Sequence, residues 1–244
     1  MTSAIYPSLK DKHVVVTGGA SGIGEAVVTA FAEQGAHVTF LDILEEEGGA
    51  LARKLANTTF HKCDLKDLDA VADFFAEAGR VDVLVNNAAS DDRHTLDDVT
   101  PAYWEDRMAV NLRHMLFCAK AVARDMRERG AGVIVNFGSI SWHLGLADLV
   151  LYETAKAGIE GMTRALAREL GPSGIRVVAV IPGNVQTPRQ QRWYTPEAEA
   201  EIVANQALEG RIQPSDVASL VLFLASDDAR MCTGHPYWID AGWR

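Results

Sequence analysis

The sequence predicts a doubly wound α/β fold, in which a parallel sheet carries helices on both faces. Short apolar runs recur along the chain, and each is followed by a longer segment with helical periodicity. Several runs are continuous in Val, Ile and Leu rather than alternating with polar residues, which is typical of strands covered on both faces. Such alternation of strand and helix indicates a sheet of about seven strands.

The predicted strands span, in chain order, residues 13–16, 37–41, 58–61, 81–85, 133–137, 176–181 and 237–239. Between them the apolar residues fall on one helical face, as Ile23, Val27 and Phe31 do. Residues 187–208 break this rhythm, because prolines and aromatics stand between the sixth strand and the last long helix. We expect this segment to be a lid over a binding site rather than a disordered linker.

Length and composition fit a single domain over residues 1–244. The chain is 48% hydrophobic and 23% charged, which is an ordinary globular composition. Its net charge of −10 offers no attraction to a polyanion, so no nucleic-acid partner is expected. No apolar run approaches the ~18 residues of a membrane span, and charges at 10–12 interrupt any signal peptide, so no membrane partner is expected either. Cys63, Cys118 and Cys232 are too far apart for a disulfide framework or zinc site, which suits a cytoplasmic protein.

A glycine-rich loop, TGGASGIG at residues 17–24, follows the first predicted strand directly. Gly18, Gly22 and Gly24 let the backbone turn tightly and approach a pyrophosphate, and the next helix offers free N–H groups to the phosphates. Such a loop alone is a weak signal, because glycine-rich turns also serve as plain connections. Here it lies between strand and helix, and Asp42 closes the next strand eighteen residues after Gly24. This context predicts a dinucleotide site of the Rossmann type.

Asp42 favours NAD over NADP. Its carboxylate can accept hydrogen bonds from both adenine-ribose hydroxyls, and it would repel a 2′-phosphate by about 1–4 kcal/mol per pair of unit charges. No Lys or Arg stands in the glycine loop or beside Asp42 in sequence. The alternative is a solvated acid, since residues 45–47 are all Glu. Asp64, after the third strand, is a candidate for the adenine amino group or a plain surface acid.

Polar residues follow three further strands and would converge in one crevice. Asn87, Ser139 and Asn184 come after the fourth, fifth and sixth strands, and ligands of open α/β sheets bind beyond the carboxyl ends of strands. Tyr152 and Lys156 follow at the i, i+4 spacing of one helix face.

The pair of Tyr152 and Lys156 suits the chemistry of a dehydrogenase, which must remove a hydroxyl proton as hydride leaves the same carbon. A tyrosine has an ordinary pKa of about 10, so acting as the base near neutrality requires about 4 kcal/mol in favour of its phenolate. An adjacent ammonium and an oxidised nicotinamide supply that field, and Ser139 can bond the reacting oxygen. A lone Tyr and Lys four apart would be a chance pair, but beside the glycine loop they indicate catalysis.

Motifs along essentially the whole chain resemble those of the classical short-chain dehydrogenase/reductase family. They are, in order, Thr17-Gly18-x-x-x-Gly22-x-Gly24, Asn86-Asn87-Ala88, Asn111, Ser139, Tyr152-x-x-x-Lys156 and Pro182-Gly183-Asn184-Val185-x-Thr187. The resemblance implies a catalytic tetrad of Asn111, Ser139, Tyr152 and Lys156, in which Asn111 holds a water that joins Lys156 to a proton relay. It also implies NAD as cofactor and a homotetramer built on the helix of Tyr152 and on the C-terminal segment. Ala89 replaces the glycine usual in the family, and we expect its methyl group to be tolerated beside the ribose.

The cofactor-binding residues expected from these motifs and strand ends are Gly18, Ser21, Gly22, Ile23, Gly24, Asp42, Asp64, Leu65, Asn87, Ala88, Lys156, Pro182, Gly183, Val185 and Thr187.

Further stretches, at 91–94, 111–118, 139–146 and 238–244, resemble bacterial NAD-dependent sugar 1-dehydrogenases of the same family. This resemblance implies oxidation of a cyclic aldose at C1 to its lactone. D-xylose, giving D-xylonolactone, is the expected substrate, with L-arabinose, D-galactose and L-fucose as alternatives. A sugar site needs donors, acceptors and an aromatic face. The candidates are Ser139, Tyr152, Asp91, His143, Asn184, Gln190 and Trp193. Each has a structural alternative, such as a solvated charge run at 91–94 or a packed histidine at 143.

Other classes of function fit less well. Ser139, His143 and Asp148 are the residue types of a hydrolase triad, but the chain has no GxSxG turn. The seven histidines lack metal-ligand spacing, so no metal is expected. A non-catalytic dinucleotide-binding regulator remains the alternative from another class, although it would not need Ser139, Tyr152 and Lys156 together.

Overall fold

The computed structural model describes residues 4–191 and 194–244. These residues form one sheet of seven strands: β1 (His13–Thr17), β2 (His37–Asp42), β3 (Thr58–Lys62), β4 (Val83–Asn86), β5 (Gly132–Phe137), β6 (Ile175–Pro182) and β7 (Pro236–Ile239). Neighbouring strands pair in parallel in the order β3-β2-β1-β4-β5-β6-β7. The predicted doubly wound parallel sheet is therefore confirmed. The chain turns from one half of the sheet to the other between β1 and β4, which opens a crevice at their carboxyl ends.

The strand bounds differ from the predicted ones by one or two residues. The largest difference is at β4, which begins at Val83 rather than at residue 81. There the Asp82 carboxylate accepts the backbone N–H of His13 at 3.0 Å, so this residue serves β1 through its side chain. A local sequence pattern could not predict this start of β4, because the two residues in the contact are 69 positions apart.

Helices connect the strands and cover both faces of the sheet. They are α1 (Gly22–Glu33), α2 (Glu45–Lys54), α3 (Leu68–Glu77), α4 (Pro101–Met108), α5 (His114–Arg129), α6 (Ser141–Leu144), α7 (Val150–Leu170), α8 (Pro188–Gln191), α9 (Pro196–Ala204) and α10 (Pro214–Ala225). One π-helical turn, Ala109–Arg113, joins α4 to α5. Such turns often occur at functional positions. Within the described residues, no helix is long and apolar enough to cross a lipid bilayer.

The continuous apolar strands are explained by two separate cores. In β1, Val14 and Val16 belong to a cluster formed with α1 and α10, which includes Phe31 and Val221. Val15, between them, belongs to the cluster on the opposite face, formed with α3 and α5. Successive side chains of a strand point to opposite faces, so a strand in the interior of the sheet must be apolar at most positions to complete both clusters.

A chain of buried amides crosses the middle of the sheet. Asn86 of β4 donates through Nδ2 to Oδ1 of Asn136 in β5, at 2.9 Å. Asn136 in turn donates to the Thr163 hydroxyl in α7, at 3.0 Å. The amide of Asn86 also donates to the carbonyl of Met115 in α5. These bonds tie the two central strands to the two helices that cover them.

The segment 187–208 contains α8 and α9, which were not expected as elements. Thr195 begins α9 by accepting the N–H of Ala198 in its side chain, and Pro196 occupies the first turn. Arg192 and Trp193, between the two helices, lie outside the described residues.

Candidate active site

One cavity of about 630 Å³ lies along the carboxyl edge of the sheet, within the size range of a ligand pocket. Its walls come from the ends of β1 to β6, the start of α1 and the segment that begins at residue 182. The fifteen residues predicted to bind a cofactor all line it: Gly18, Ser21, Gly22, Ile23, Gly24, Asp42, Asp64, Leu65, Asn87, Ala88, Lys156, Pro182, Gly183, Val185 and Thr187.

The glycine loop has a geometry that other residues would not permit. Gly18 and Gly22 have φ angles of +65° and +58°. A Cβ on Gly24 would stand 1.8 Å from the carbonyl oxygen of Gly18, and one on Gly18 would stand 2.8 Å from the Cα of Ala88. Asn87 holds this packing in place, since its Nδ2 donates to the carbonyl of Gly18 at 2.9 Å. The first turn of α1 is thereby presented to the cavity, and in the described structure the Ser21 side chain makes no capping bond to it.

Asp42 stands at the end of β2 with its carboxylate aimed by two backbone donors. The N–H groups of Ala20 and Leu44 donate to its two oxygens at 3.0 and 3.1 Å. Each carboxylate oxygen keeps a lone pair for a further donor. Lys62, in β3, is the register partner of Asp42 in β2. This cation is 20 positions away in sequence, and the pairing of the two strands brings it beside Asp42. Its ammonium pairs with Glu45 at 2.6 Å.

Ser139, Tyr152 and Lys156 line the same cavity from two elements. Ser139 follows β5, and its hydroxyl accepts the backbone N–H of Ser141 at 3.1 Å. Tyr152 and Lys156 lie one turn apart on α7, and the Lys156 Nζ is 5.3 Å from the centre of the Tyr152 ring. Lys156 is only 2% exposed and donates to the carbonyl of Phe137 at 2.7 Å.

Burial dominates the ionisation of this pair. It lowers the pKa of the Lys156 ammonium to about 7, although the carboxylate of Asp91 acts in the opposite direction. It raises the pKa of Tyr152 above its ordinary value, and Asp91 adds to that rise, while a hydrogen bond from Ser139 and the charge of Arg189 oppose it. The chain by itself therefore favours a protonated Tyr152, and the expected lowering by Lys156 does not offset burial. A further positive charge in the cavity is needed to make the phenolate accessible near neutrality.

Asn111 is placed differently from the other three members of the expected tetrad. It lies in the π-helical turn, and both hydrogen bonds of its side chain are made with the backbone of one residue, Ser90. Its Oδ1 accepts the N–H of Ser90 at 2.8 Å, and its Nδ2 donates to the carbonyl of Ser90 at 3.0 Å. Asn111 is not among the residues that line the cavity, whereas Ser90 is. Its amide thus holds the segment after β4 against the start of α5.

Two arginines that sequence analysis missed hold the acidic segment after β4. Arg189, in α8, pairs with Asp91 at 3.0 Å and with Asp92 at 2.8 Å. Arg107, in α4, pairs with Asp92 at 2.6 Å and donates to the Ser90 hydroxyl. Although burial opposes it, hydrogen bonds from Ser90 and Arg107 hold the pKa of Asp92 below its usual range. The sequence signal for these arginines was the pair of adjacent acids, Asp91 and Asp92. Two neighbouring carboxylates beside a cavity are stabilised by nearby basic side chains.

Of the predicted sugar contacts, the structure brings Ser139, Tyr152, Asp91 and Gln190 to the cavity. Asn184 is turned away from it, because its Oδ1 accepts from Arg211 at 2.8 Å and its Nδ2 lies 2.8 Å from the Tyr194 hydroxyl. These bonds fasten the segment 187–208 to the loop before α10. Trp193 lies outside the described residues.

His143 is also held away from the cavity, in a cluster with the C-terminal residue. Its Nε2 lies 2.7 Å from Glu160 of α7, and its Nδ1 lies 2.9 Å from the Arg244 guanidinium. The rings of Trp142 and Trp238 pack on it, with centres 3.6 and 4.4 Å away. These contacts fit the structural alternative stated for His143, a packed histidine, better than a sugar contact.

The chain was compared with known proteins. Residues 18–244 match a family model described as Enoyl-(Acyl carrier protein) reductase. D-xylose 1-dehydrogenase of Caulobacter vibrioides is 67% identical over the whole of both chains. Probable galactose dehydrogenase GalD of Rhizobium meliloti is 45% identical, over 99% of this chain and 98% of that one. A solved structure described as a short chain dehydrogenase/reductase family protein superposes with a TM-score of 0.89, at 34% identity over 96% of this chain and 98% of that one.

The chain belongs to the short-chain dehydrogenase/reductase family. It is thus an oxidoreductase that uses a nicotinamide dinucleotide. The resemblance predicted from its motifs is confirmed.

The cavity of this short-chain dehydrogenase fits such a cofactor. Gly18 and Gly24 leave no room for a Cβ, because Ala88 and the Gly18 carbonyl occupy that space, so the loop packs tightly and its backbone lines the cavity where a pyrophosphate could bind. The uncapped first turn of α1 offers N–H donors to the phosphates. Asp42, which also lines the cavity, offers the complementary chemistry: its carboxylate is an acceptor suited to ribose hydroxyls.

Proposed function

We propose that this short-chain dehydrogenase oxidises C1 of the cyclic aldose D-xylose to D-xylonolactone, with reduction of NAD to NADH. The observation that carries the proposal is that Ser139, Tyr152 and Lys156 line the same cavity as the glycine loop. The choice of sugar is supported by the full-length 67% identity to the Caulobacter D-xylose 1-dehydrogenase.

The chemistry follows from the positions of these three side chains. In the proposed reaction the Tyr152 oxygen takes the proton of the C1 hydroxyl, and the Ser139 hydroxyl donates a hydrogen bond to the same substrate oxygen. The C1–H bond breaks as C1 becomes the lactone carbonyl. When bound, an oxidised nicotinamide supplies the acceptor for that hydride and adds positive charge. Lys156 is fixed by the Phe137 carbonyl, and its protonated ammonium stabilises the negative charge of the Tyr152 phenolate.

Asp91 and Gln190 are the proposed partners of the remaining sugar hydroxyls. Both line the cavity, and they approach it from the segment after β4 and from α8. In this proposal residues 187–208 form the lid, and Asn184 acts by holding that lid through Tyr194 rather than by binding the sugar. Asn111 contributes by holding Ser90, which lines the cavity.

The proposed preference for NAD rests on Asp42. Its carboxylate, oriented by the N–H groups of Ala20 and Leu44, suits two ribose hydroxyls and repels a 2′-phosphate. Lys62 does not offset this charge, because its ammonium is engaged by Glu45.

We also propose that the enzyme is a cytoplasmic homotetramer. Cys63, Cys118 and Cys232 are free thiols, as in proteins of reducing compartments. The interface expected on α7 and the C-terminal segment would be extended by exposed apolar side chains of α4 and α5, two helices that contact α7. These side chains are Trp104, Leu116 and Phe117.

The test is formation of NADH, followed by its absorbance, with a panel of D-xylose, L-arabinose, D-galactose, L-fucose and a simple alcohol. We expect the highest kcat/KM with D-xylose and a lower value when NADP replaces NAD. The absence of NADH formation with every sugar would overturn the proposed activity.

D-galactose is the second candidate substrate, because Probable galactose dehydrogenase GalD is 45% identical over nearly the whole chain. It differs from D-xylose by a hydroxymethyl group and the configuration of one hydroxyl. A pocket discriminates between substrates that differ by a single methylene by about 1–3 kcal/mol, so a difference of this size can decide which sugar is preferred. A kcat/KM for D-galactose above that for D-xylose in the same panel would favour it.

A further inference from the structure

The helix that carries Tyr152 begins without a capping side chain of its own. The first N–H groups of a helix have no carbonyl partner within it and need one from elsewhere. In α7 the residue at the cap position is Leu149, whose side chain cannot accept a hydrogen bond. Leu149 and Leu151 are both buried, at 4% and 2% exposure, so water does not replace the missing acceptor. The N–H of Leu151, one residue before Tyr152, therefore requires a partner from another segment.

His94 is that partner. The N–H of Leu151 donates to Nε2 of His94 at 3.2 Å, and His94 itself is 6% exposed. Because a backbone N–H can only donate, Nε2 carries no proton, and the ring proton is on Nδ1. That nitrogen donates to the carbonyl of Asp92 at 3.0 Å. Both ring nitrogens are thus satisfied by backbone groups, and they fix one neutral tautomer.

The ring connects two walls of the cavity. Asp92 belongs to the acidic segment after β4, and Leu151 belongs to the first turn of α7. The backbone of His94 adds a third bond, since its N–H donates to the carbonyl of Asp148 at 2.9 Å. Tyr103 of α4 packs edge-on against the ring, with the centres 5.3 Å apart. No other side chain of the described residues accepts a hydrogen bond from the Leu151 N–H.

We propose that His94 is a positioning residue for the dehydrogenase reaction: it fixes the start of α7, and with it the Tyr152 hydroxyl, relative to the segment that carries Asp91. The proposal rests on the proposed function for the role of Tyr152. A histidine that only filled space would be replaceable by an apolar side chain of similar size, whereas a positioning histidine requires an acceptor at the place of Nε2.

Two substitutions separate these roles. His94→Leu keeps most of the volume and removes both bonds, while His94→Gln restores an acceptor at about the reach of Nε2. We expect His94→Leu to lower kcat about 10- to 100-fold, because a small misplacement of a reacting group costs rate rather than binding. The KM for D-xylose and the Kd for NAD, measured by binding in the absence of sugar, should stay within about twofold. His94→Gln should recover most of the lost kcat.

Hydrogen exchange of the peptide that contains Leu151 and Tyr152, measured by mass spectrometry, gives a readout independent of the sugar. Exchange should accelerate in His94→Leu and return towards the wild-type rate in His94→Gln. The matched control is Asp67→Ala. It removes the side-chain cap of α3, in which the Asp67 carboxylate accepts the N–H groups of Asp69 and Ala70. It should lower Tm and leave kcat unchanged.

Any one of three results would overturn the proposal. The first is a kcat for His94→Leu within about twofold of wild type, and the second is unchanged exchange of that peptide in the same variant. The third is a His94→Gln enzyme that is folded and as slow as His94→Leu. If the wild-type enzyme oxidised no sugar at all, the proposed function would fail, while the exchange measurement would still decide whether His94 holds α7.

Discussion

At the scale of single residues, the site is dominated by two ionisable side chains that are buried beside each other. Burial lowers the pKa of Lys156 to about 7 and raises that of Tyr152, so the chain by itself keeps the pair close to neutral. Oxidation requires Tyr152 to lose its proton. The positive charge of a bound oxidised nicotinamide favours that loss, so we expect kcat/KM, measured with saturating NAD, to rise with pH through the neutral range.

Tyr152→Phe removes the proposed base and keeps the ring that packs above Lys156. We expect kcat to fall by about a thousandfold or more, because proton transfer by a positioned side chain contributes about 10²- to 10⁴-fold. NAD binding, measured by titration without sugar, should be retained. Turnover near the wild-type level would contradict the assignment of Tyr152 as the base.

Asp42→Ala should shift the cofactor preference towards NADP. The substitution removes the charge that would repel a 2′-phosphate and the acceptor of two ribose hydroxyls, so the ratio of kcat/KM for NAD over NADP should fall about 10-fold or more. Asp64→Ala is the comparison, since it removes a carboxylate from the same cavity and leaves Asp42 in place. An unchanged ratio in Asp42→Ala would remove the proposed role.

His114 makes stability depend on pH. It is fully buried at the start of α5, its Nε2 donates to the Ala88 carbonyl at 3.1 Å, and burial lowers its pKa to about 4. With an unfolded-state value of about 6.5, the folded state binds fewer protons than the unfolded state between those pH values, so stability is full above about pH 6.5 and is lost as pH falls towards 4. His114→Gln keeps a donor for Ala88 and does not titrate. Urea unfolding should show that wild type loses about 2–3 kcal/mol more than His114→Gln between about pH 7 and pH 4.5, and equal losses would contradict this.

At the scale of elements, the contact between α8 and the segment after β4 is a candidate latch for the lid. Arg189 is 52% exposed on its side chain, so its two ion pairs contribute about 1 kcal/mol together. Arg189→Met should therefore raise the KM for the sugar about fivefold, with a smaller effect on kcat. Arg124→Met is the control, because Arg124 forms an exposed pair on the surface of α5. An equal change of KM in both variants would exclude the latch.

The order of the elements and the lining of the cavity could be predicted from sequence, because the residue that ends a parallel strand must lie at the carboxyl edge. Gly18, Asp42 and Ser139 are placed by that rule alone. The direction of an individual side chain beyond a strand end could not be predicted. His143 turns to Arg244, 101 residues away, and Asn184 turns to Arg211, 27 residues away. Such partners are close only after the chain has folded.

At the scale of the whole molecule, the exposed apolar side chains of α4 and α5 predict assembly. Phe117 is 37% exposed and Leu116 is 44% exposed, on a helix that covers the sheet. Light scattering should give a mass of about four times that of the 26.5 kDa chain. Phe117→Glu should lower that mass, because an unpaired charge in an interface is costly. Ile5→Glu, at another exposed apolar position, should not, and a wild-type monomer would refute the tetramer.

The amides of Asn86 and Asn136 have a consequence for how the molecule selects its fold. They are register partners in the centre of the sheet, where neighbouring positions are valines and other apolar residues that would pair equally well if β5 shifted along β4. A shift of one position would set Asn136 against Val85 and break the hydrogen bond between the two buried amides, at a cost of about 1–3 kcal/mol for each polar group left unpaired. Hydrophobic strands this uniform carry little information about alignment, so two polar side chains supply it and discriminate against misaligned sheets.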